Sequence, residues 1–167
     1  MTATTAQISV KEYLRTSYRP DRDYGNGEIQ ERNLGELNHA TVQANLTIYL
    51  GIRRREWNIL VMTELRIRVA PARVRIPDIC VLLPSAPYEP VLTVPPFLCI
   101  KVLSPSDNLL LVHNHIAEFI AFGVPCIWLI NTKTRQVWIH TSEGASETQD
   151  GILRAAHIEV PLPEIFE

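Results

Sequence analysis

A single charge in the middle of an apolar run is the feature that most constrains how this chain folds. The run is the stretch PPFLCIKVLSPSD at residues 95–107, and the charge is Lys101. Its length and composition are typical of a buried strand. Burying an ammonium group costs several kcal/mol unless an acceptor pairs with it, so the fold must bring an acidic or polar group to this strand.

Asp78 is the candidate partner for Lys101. It is the only acid at the head of the apolar strand RIPDICVLLP, and α/β sheets present functional groups at strand ends. Strand alternation places four side chains of the 97–103 strand on one face: Phe97, Cys99, Lys101 and Leu103. If the two strands are neighbours, Asp78 meets the ammonium group, although an aspartate after a proline is also a common turn residue.

The length and composition fit one domain, which we assign to residues 1–167 with its core at about 20–142. Three cysteines (Cys80, Cys99 and Cys126) lie in apolar runs, which indicates reduced core thiols and a cytoplasmic protein. No window approaches about 18 consecutive apolar residues, and the first residues lack a signal-peptide core. We therefore expect a soluble protein with no membrane partner.

The order of the predicted elements indicates an α/β domain with a mixed central sheet flanked by helices and an N-terminal β-hairpin. The hairpin is centred on Asn26-Gly27, a strong hairpin-turn signal. Three helices are predicted: a short one at 10–17, an amphipathic one at 39–55 capped by Asn38, and one at about 108–122 stopped by Gly123. Strands are predicted at 59–69, 76–84 and 97–103, with a turn at 70–75, and two more lie within 125–141. The C-terminal tail is predicted to dock on the surface.

Glu64 and His115 are further candidates for a functional site. Glu64 interrupts its strand, but it also shares a polar face with Arg66 and Arg68, where a solvated charge is expected. His115 lies inside the second long helix, where a surface histidine is the more common finding. The chain has no HExxH, CxxC, Gly-rich phosphate loop or GxSxG motif, which removes support for zinc peptidases, nucleotide binders and serine hydrolases of those types.

Positive charge is local in this sequence. The formal net charge is −2, yet arginines cluster in IRRRE at 52–56 and in ELRIRVAPARVRIP at 64–77. These segments contain the candidate phosphate-contacting residues Arg53, Arg54, Arg55, Arg73 and Arg75. The sequence therefore permits a nucleic-acid surface without requiring one.

The path DYGNGEI…H…TELRIRV…RIPDICVL…PPFLCIKVLSPSD…AEFIAFGVPCIWLINTKTRQVWIH resembles the Uma-type family of restriction endonucleases. That family belongs to the PD-(D/E)XK nuclease superfamily, and the likeness runs from about Tyr13 to Phe166. The resemblance implies a restriction-endonuclease-like core and a DNA endonuclease that uses Mg²⁺ or Mn²⁺. The edge strands and the apolar, proline-rich loop at 85–96 favour a homodimer, as is common for nucleases that cut two strands.

The resemblance assigns roles to residues, and two of the positions depart from the family pattern. Asp78 matches the acid of the PD motif, and Glu64 matches an acid on the preceding strand, which makes both candidate metal ligands. Lys101 stands where the family has glutamate, and His115 stands where it tends to have lysine. The resemblance therefore gives Asp78, Lys101 and His115 as the candidate catalytic residues.

Three interpretations of these departures remain open. In the first, which we favour, Lys101 substitutes for the metal by neutralising Asp78, and the endonuclease is impaired or inactive. In the second, Lys101 is a working catalytic lysine, Asp78 and Glu64 hold the metal, and His115 carries protons. In the third, the chain is a non-catalytic module on a nuclease fold that binds nucleic acid or protein.

Overall fold

The computed structural model describes residues 7–33 and 35–166, which form a mixed sheet flanked by helices. The helices are α1 Val10–Arg15, α2 Leu37–Ile52, α3 Leu109–Phe122 and α4 Pro163–Phe166. The strands are β1 Asp23–Gly25, β2 Glu28–Gln30, β3 Leu60–Thr63, β4 Ile67–Ala70, β5 Arg73–Arg75, β6 Ile79–Leu82, β7 Leu98–Leu103, β8 Ile127–Asn131, β9 Val137–Thr141, β10 Gly144–Glu147, β11 Ile152–Ala155 and β12 Ile158–Pro161. The predicted fold class is confirmed.

The central sheet has six strands in the order β10-β9-β8-β7-β6-β3. Strands β7 and β8 are parallel and α3 connects them, while the other neighbouring pairs are antiparallel. The antiparallel register of β6 and β7 pairs Ile79 with Ile100. Asp78, one residue before β6, therefore comes opposite Lys101, as expected if the two strands are neighbours.

Each face of the central sheet packs against a different layer. Ile100 and Val102 of β7 pack in one apolar cluster with α2, whereas Cys99 and Leu103 pack in a second cluster with α3. This alternation puts Lys101 on the α3 side. Phe97 packs against the α2-side cluster instead. The prediction that it shares the face of Lys101 is wrong, because Phe97 precedes the first residue of β7 and escapes its alternation.

A second sheet, in the order β2-β1-β5-β4, lies beside the first. Its β1–β2 hairpin turns through Asn26 and Gly27, whose φ angles of 51° and 95° suit a tight hairpin. The turn predicted at 70–75 is wrong in part, because Arg73–Arg75 pairs with both β1 and β4. The strand predicted at 59–69 is two strands in two sheets, and Glu64, with a φ of 52°, stands at the break.

The three predicted helices are present, but several of their ends are wrong: α1 ends at Arg15 and not at 17, and α2 spans Leu37–Ile52 and not 39–55. Gly123 ends α3 in the left-handed conformation with a φ of 111°, as predicted. Helix α2 begins at Leu37 after the N-cap Glu36, so the prediction of Asn38 as the cap is wrong. Within the part of the chain that the structure describes, none of the helices combines the length and apolarity needed to cross a membrane.

The C-terminal segment belongs to the core, which corrects the expectation of a surface-docked tail. Leu153, Ile158, Val160 and Ile165 are each 0% exposed. They pack in the α2-side cluster with Trp128 of β8, whose indole N–H donates to the Arg154 carbonyl at 3.1 Å. The buried core therefore extends well beyond residue 142, because the alternating apolar residues of β11 and β12 cover one face of the central sheet.

Shortening Leu153 to alanine tests this packing. We expect Leu153→Ala to lower the free energy of unfolding by about 2–5 kcal/mol, because the change leaves a cavity in a core that cannot fully collapse. Gln149→Ala, at an exposed position just before β11, is the control and should change stability by less than about 0.5 kcal/mol. Urea denaturation followed by tryptophan fluorescence measures both, and equal stability of the two variants contradicts a core role for the tail.

Candidate active site

A cavity of about 240 Å³ opens between the second sheet, strand β7 and helix α3. Its apolar floor includes Val112, Ile116 and Phe119 of α3. The polar side chains that line it are Asp23, Glu31, Arg32, Asn33, Arg75, Asp78, Lys101, Ser106, Asp107, Asn108 and His115. The fold therefore brings together the three predicted catalytic residues: Asp78, Lys101 and His115.

Asp78 is the most enclosed of these side chains, with 3% of its side chain exposed. Its Oδ1 atom lies 3.3 Å from both Arg32 Nη2 and His39 Nε2. Its Oδ2 atom accepts the Val102 backbone N–H at 2.8 Å and lies 3.7 Å from Lys101 Nζ. Both carboxylate oxygens are therefore already engaged by N–H groups of the protein.

The electrostatics of the site keep Asp78 ionised. Burial alone raises the pKa of the Asp78 carboxyl, but the hydrogen bond from His39 and the charge of Lys101 outweigh it. The net result is a pKa below the ordinary value for aspartate. At neutral pH the group is a buried carboxylate whose charge is compensated by side chains.

Lys101 reaches two carboxylates, which explains how an ammonium group sits within an apolar strand. Its Nζ atom lies 3.4 Å from Asp107 Oδ2 in addition to its contact with Asp78. Asp107 is held in place because it accepts the Ser104 backbone N–H at 2.7 Å and an Asn33 side-chain N–H at 2.9 Å. Lys101 retains 30% exposure of its side chain, so the ammonium group still faces the cavity.

Arg32 spans the two residues that the sequence gave as candidate metal ligands. Its guanidinium lies 3.3 Å from Asp78 Oδ1 through Nη2 and 3.9 Å from Glu64 Oε2 through Nη1. Glu64 is about half exposed, with its side chain at 49%, at the break between β3 and β4. A side-chain cation therefore occupies the space between the two carboxylates, where a shared metal ion is expected in a nuclease.

The residues present do not fit a divalent metal ion in this arrangement. A Mg²⁺ or Mn²⁺ site needs free carboxylate or carbonyl oxygens, whereas each oxygen of Asp78 faces two donors. Across residues 7–33 and 35–166, no group of three or more His, Cys, Asp and Glu side chains is arranged to hold a metal. Arg32 and Lys101 also repel an approaching cation.

His115 and Asp23 form a second buried pair in the same cavity, with His115 Nδ1 3.9 Å from Asp23 Oδ2. Burial, reinforced by the nearby charge of Arg75, lowers the pKa of His115 to about 4, so the ring is neutral at pH 7. Its Nε2 atom is buried and has no hydrogen-bond partner among the described residues. Burial raises the pKa of Asp23 to about 6, although Arg32 and Arg75 act in the opposite direction.

The five candidate phosphate-contacting arginines fall in two places. Arg75 is buried, and its guanidinium donates to Glu118, Gln30 and the Tyr24 carbonyl. Arg73 is about half exposed, and its Nη1 atom lies 3.8 Å from Glu118 Oε1. The other three follow α2, where Arg53 stacks 3.7 Å over the Tyr49 ring and Arg54 and Arg55 are exposed. Fourteen residues separate Arg53 from His39, which is about 21 Å along a helix. These three arginines therefore lie at the opposite end of α2 from Asp78.

Four residues of the site had no assigned role in the sequence prediction: Asp23, Arg32, His39 and Asp107. His39 is the histidine in the motif path, so the path contained it without indicating its function. Arg32 follows β2 in a loop and has no periodic pattern that could have marked it. Its role depends on contacts with residues 32 and 46 positions away in sequence, Glu64 and Asp78.

The mixed central sheet with flanking helices has the architecture of a nuclease fold, as a comparison with solved structures shows. The sequence matches the Uma2 family, described as "Putative restriction endonuclease", over residues 10–166, and the chain belongs to that family. The fold is similar to a crystal structure of "a putative nuclease belonging to DUF820" from Anabaena variabilis, with a TM-score of 0.82. The identity is 17%, and the match covers 95% of this chain and 97% of the other. A search among curated proteins finds no match.

Removing the carboxylate of Asp78 tests whether it is an integral part of the fold. We expect Asp78→Ala to lower the free energy of unfolding by on the order of 3 kcal/mol, because Arg32 and Lys101 lose the buried charge that compensates theirs. Thermal and urea denaturation measure the change. Unaltered or increased stability contradicts the expectation. That result is expected instead for a metal-binding carboxylate, whose charge is not compensated by the protein when the metal is absent.

Asp23 and His115 should contribute opposite pH dependences to the free energy of unfolding, because their pKa values are shifted in opposite directions. Asp23 has a raised pKa in the folded state, so its contribution is present below about pH 4 and is lost as the pH rises through about 6. His115 has a lowered pKa, so the unfolded chain binds more protons between about pH 4 and 6.5, and stability rises over that range. The two slopes oppose each other in the unmodified protein.

Single substitutions should separate these slopes. Relative to the unmodified protein, we expect Asp23→Asn to gain stability and His115→Gln to lose it as the pH is raised from 4.5 to 6.5. Asparagine retains an oxygen that accepts the Ile76 N–H, so the comparison isolates the proton. Melting temperatures measured across this pH range provide the test, and parallel pH profiles for all three proteins count against both assignments.

Proposed function

We propose that this protein is a DNA endonuclease by descent whose active site is impaired or inactive because side-chain cations stand in for the metal. The observation that carries the proposal is the double contact at Asp78. Arg32 bridges one of its oxygens to Glu64, and Lys101 contacts the other. Metal-dependent hydrolysis of a phosphodiester needs a cation that binds both the protein and the scissile phosphate. Arg32 and Lys101 contact carboxylates of the protein itself. Their positive charges are therefore largely compensated, and their attraction to a phosphate group is weaker.

Lys101 has the larger part in this proposal. A glutamate at position 101 supplies a carboxylate opposite Asp78, whereas lysine changes the local charge by two units and removes a potential ligand. The contact between Lys101 and Asp107 adds a second carboxylate on the same ammonium group. Lys101 therefore has two carboxylates of the protein itself as ion-pair partners.

DNA is the partner class we propose, on the ground of family membership. The exposed Arg54 and Arg55 and the half-exposed Arg73 are the candidate phosphate contacts, while the donors of Arg75 are engaged by protein acceptors. Free thiols at the buried residues Cys80, Cys99 and Cys126 support a cytoplasmic location. Binding without cleavage, weakening steeply with salt, is the behaviour expected of a DNA-binding module on this fold.

A cleavage assay that reverses the charge at the site tests this function. Plasmid and single-stranded DNA are incubated with Mg²⁺ or Mn²⁺ and with the unmodified protein, Lys101→Glu, and Lys101→Glu combined with Arg32→Gln. We expect no cleavage by the unmodified protein and cleavage by the double variant, since only the latter offers Asp78, Glu64 and a new glutamate to a metal. Asp78→Ala added to the active variant should abolish cutting.

Metal binding gives an independent readout of the same idea. Titration with Mn²⁺, followed by calorimetry, should show no binding at this site in the unmodified protein and binding in the double variant. Lys133→Glu combined with Arg135→Gln, at an exposed turn, makes the same charge change outside the cleft and is the matched control. Cleavage by the unmodified protein that depends on Asp78 and Lys101 overturns the proposal and makes Lys101 a catalytic lysine.

A further inference from the structure

Helix α2 has an apolar face that nothing in the described part of the chain covers. Its inner face packs Val42, Leu46 and Leu50 into the core. The outer face, on the opposite side of the helix, consists of Leu37, Ala40, Thr41, Ala44, Ile48, Gly51 and Ile52. Its three large residues, Leu37, Ile48 and Ile52, are 82%, 59% and 75% exposed. Contiguous exposed apolar surface of this kind marks interaction sites.

Helix α2 lacks the charged residues that are usual on an exposed helix face. Its 16 residues, LNHATVQANLTIYLGI, include no aspartate, glutamate, lysine or arginine. A helix at a protein surface normally carries charges on its solvent side, and the solvent side of α2 carries none. The spacing of Leu37, Thr41, Ala44, Ile48 and Gly51 alternates four and three residues, which is the spacing of a helix–helix seam.

Charges appear at the two ends of α2, and they have opposite sign. The exposed N-cap Glu36 is at one end, and the exposed Arg54 and Arg55 are at the other. None of these three side chains takes part in an ion pair within the described residues. The outer face is therefore complementary in charge to a copy of itself that runs in the opposite direction.

We propose that two copies of this chain associate through the outer faces of their α2 helices, packed antiparallel about a two-fold axis beside Ala44. Leu37 then lies against the partner's Gly51 and Ile52, and Glu36 lies beside the partner's Arg54 and Arg55. Alanine and threonine near the axis let the helices approach closely. A parallel pair is disfavoured because it brings the arginines of the two copies together.

The contact is short, which sets the expected strength of the dimer. Sixteen residues span about 24 Å, and one helix pair buries less than the roughly 800 Å² per partner of a standard stable interface. We therefore expect a weak dimer that dissociates on dilution. The antiparallel arrangement also brings the partner's Arg54 and Arg55 next to the first turn of α2, where His39 contacts Asp78.

Sedimentation equilibrium on the full chain tests the interface. We expect a concentration-dependent dimer whose dissociation constant rises at least about 30-fold in Ile48→Glu, because a charge is placed in the seam. Leu110→Glu is the matched control: Leu110 is 72% exposed on α3, outside the outer face, and its change should leave the equilibrium intact. Circular dichroism melting checks that both variants fold. A monomer at all concentrations, or a dimer insensitive to Ile48→Glu, overturns the proposal.

Charge reversal and cross-linking test the antiparallel arrangement. Glu36→Arg alone, and Arg54→Glu with Arg55→Glu, should each weaken the dimer, and the triple change should restore it. Ala44→Cys should form a disulfide between copies on oxidation, since the native cysteines are buried. Leu37→Cys should cross-link only when mixed with Ile52→Cys. Cross-linking of Leu37→Cys to itself, or no restoration by the triple change, rejects the antiparallel packing.

Discussion

The buried carboxylate of Asp78 is the interaction on which the geometry of the cleft depends. Three separate segments contact the carboxylate: the loop after β2 through Arg32, helix α2 through His39, and strand β7 through Val102 and Lys101. A fourth segment, the β3–β4 break, binds the Asp78 backbone, because the Glu64 N–H donates to the Asp78 carbonyl. Without these contacts the burial of a charged group would oppose folding. The carboxylate therefore fixes the relative positions of both sheets and of the first turn of α2.

Two carboxylates in the same cavity, Asp23 and Asp78, have pKa values shifted in opposite directions because they have different hydrogen-bonding and charged neighbours. Asp23 and Asp78 are both almost fully buried, at 7% and 2% exposure. The hydrogen bond from His39 and the charge of Lys101 hold the pKa of Asp78 below the ordinary value, and Arg32 contacts the same carboxylate. Asp23 has one backbone N–H donor and cations that act from farther away, so desolvation dominates and raises its pKa to about 6.

The sequence was sufficient for the parts of the fold that follow from local pattern. The alternation in β7 and the position of Asp78 ahead of β6 predicted that Asp78 and Lys101 would meet, and the hairpin followed from Asn26-Gly27. The division of residues 59–69 between two sheets was not predictable from periodicity. It depends on one residue, Glu64, adopting a left-handed backbone that alternation does not encode. The roles of Arg32 and His39 depend on contacts between segments far apart in sequence, which no local pattern reports.

The shared ammonium group of Lys101 has a consequence for how this sequence can change over time. Because Lys101 neutralises both Asp78 and Asp107, its replacement leaves two carboxylates without their common counter-charge. A single step toward a metal-binding glutamate therefore loses stability before a metal site exists, while Arg32 still occupies the space between Asp78 and Glu64. Under the function proposed above, at least two substitutions are therefore needed to free Asp78 and Glu64 for a metal ion.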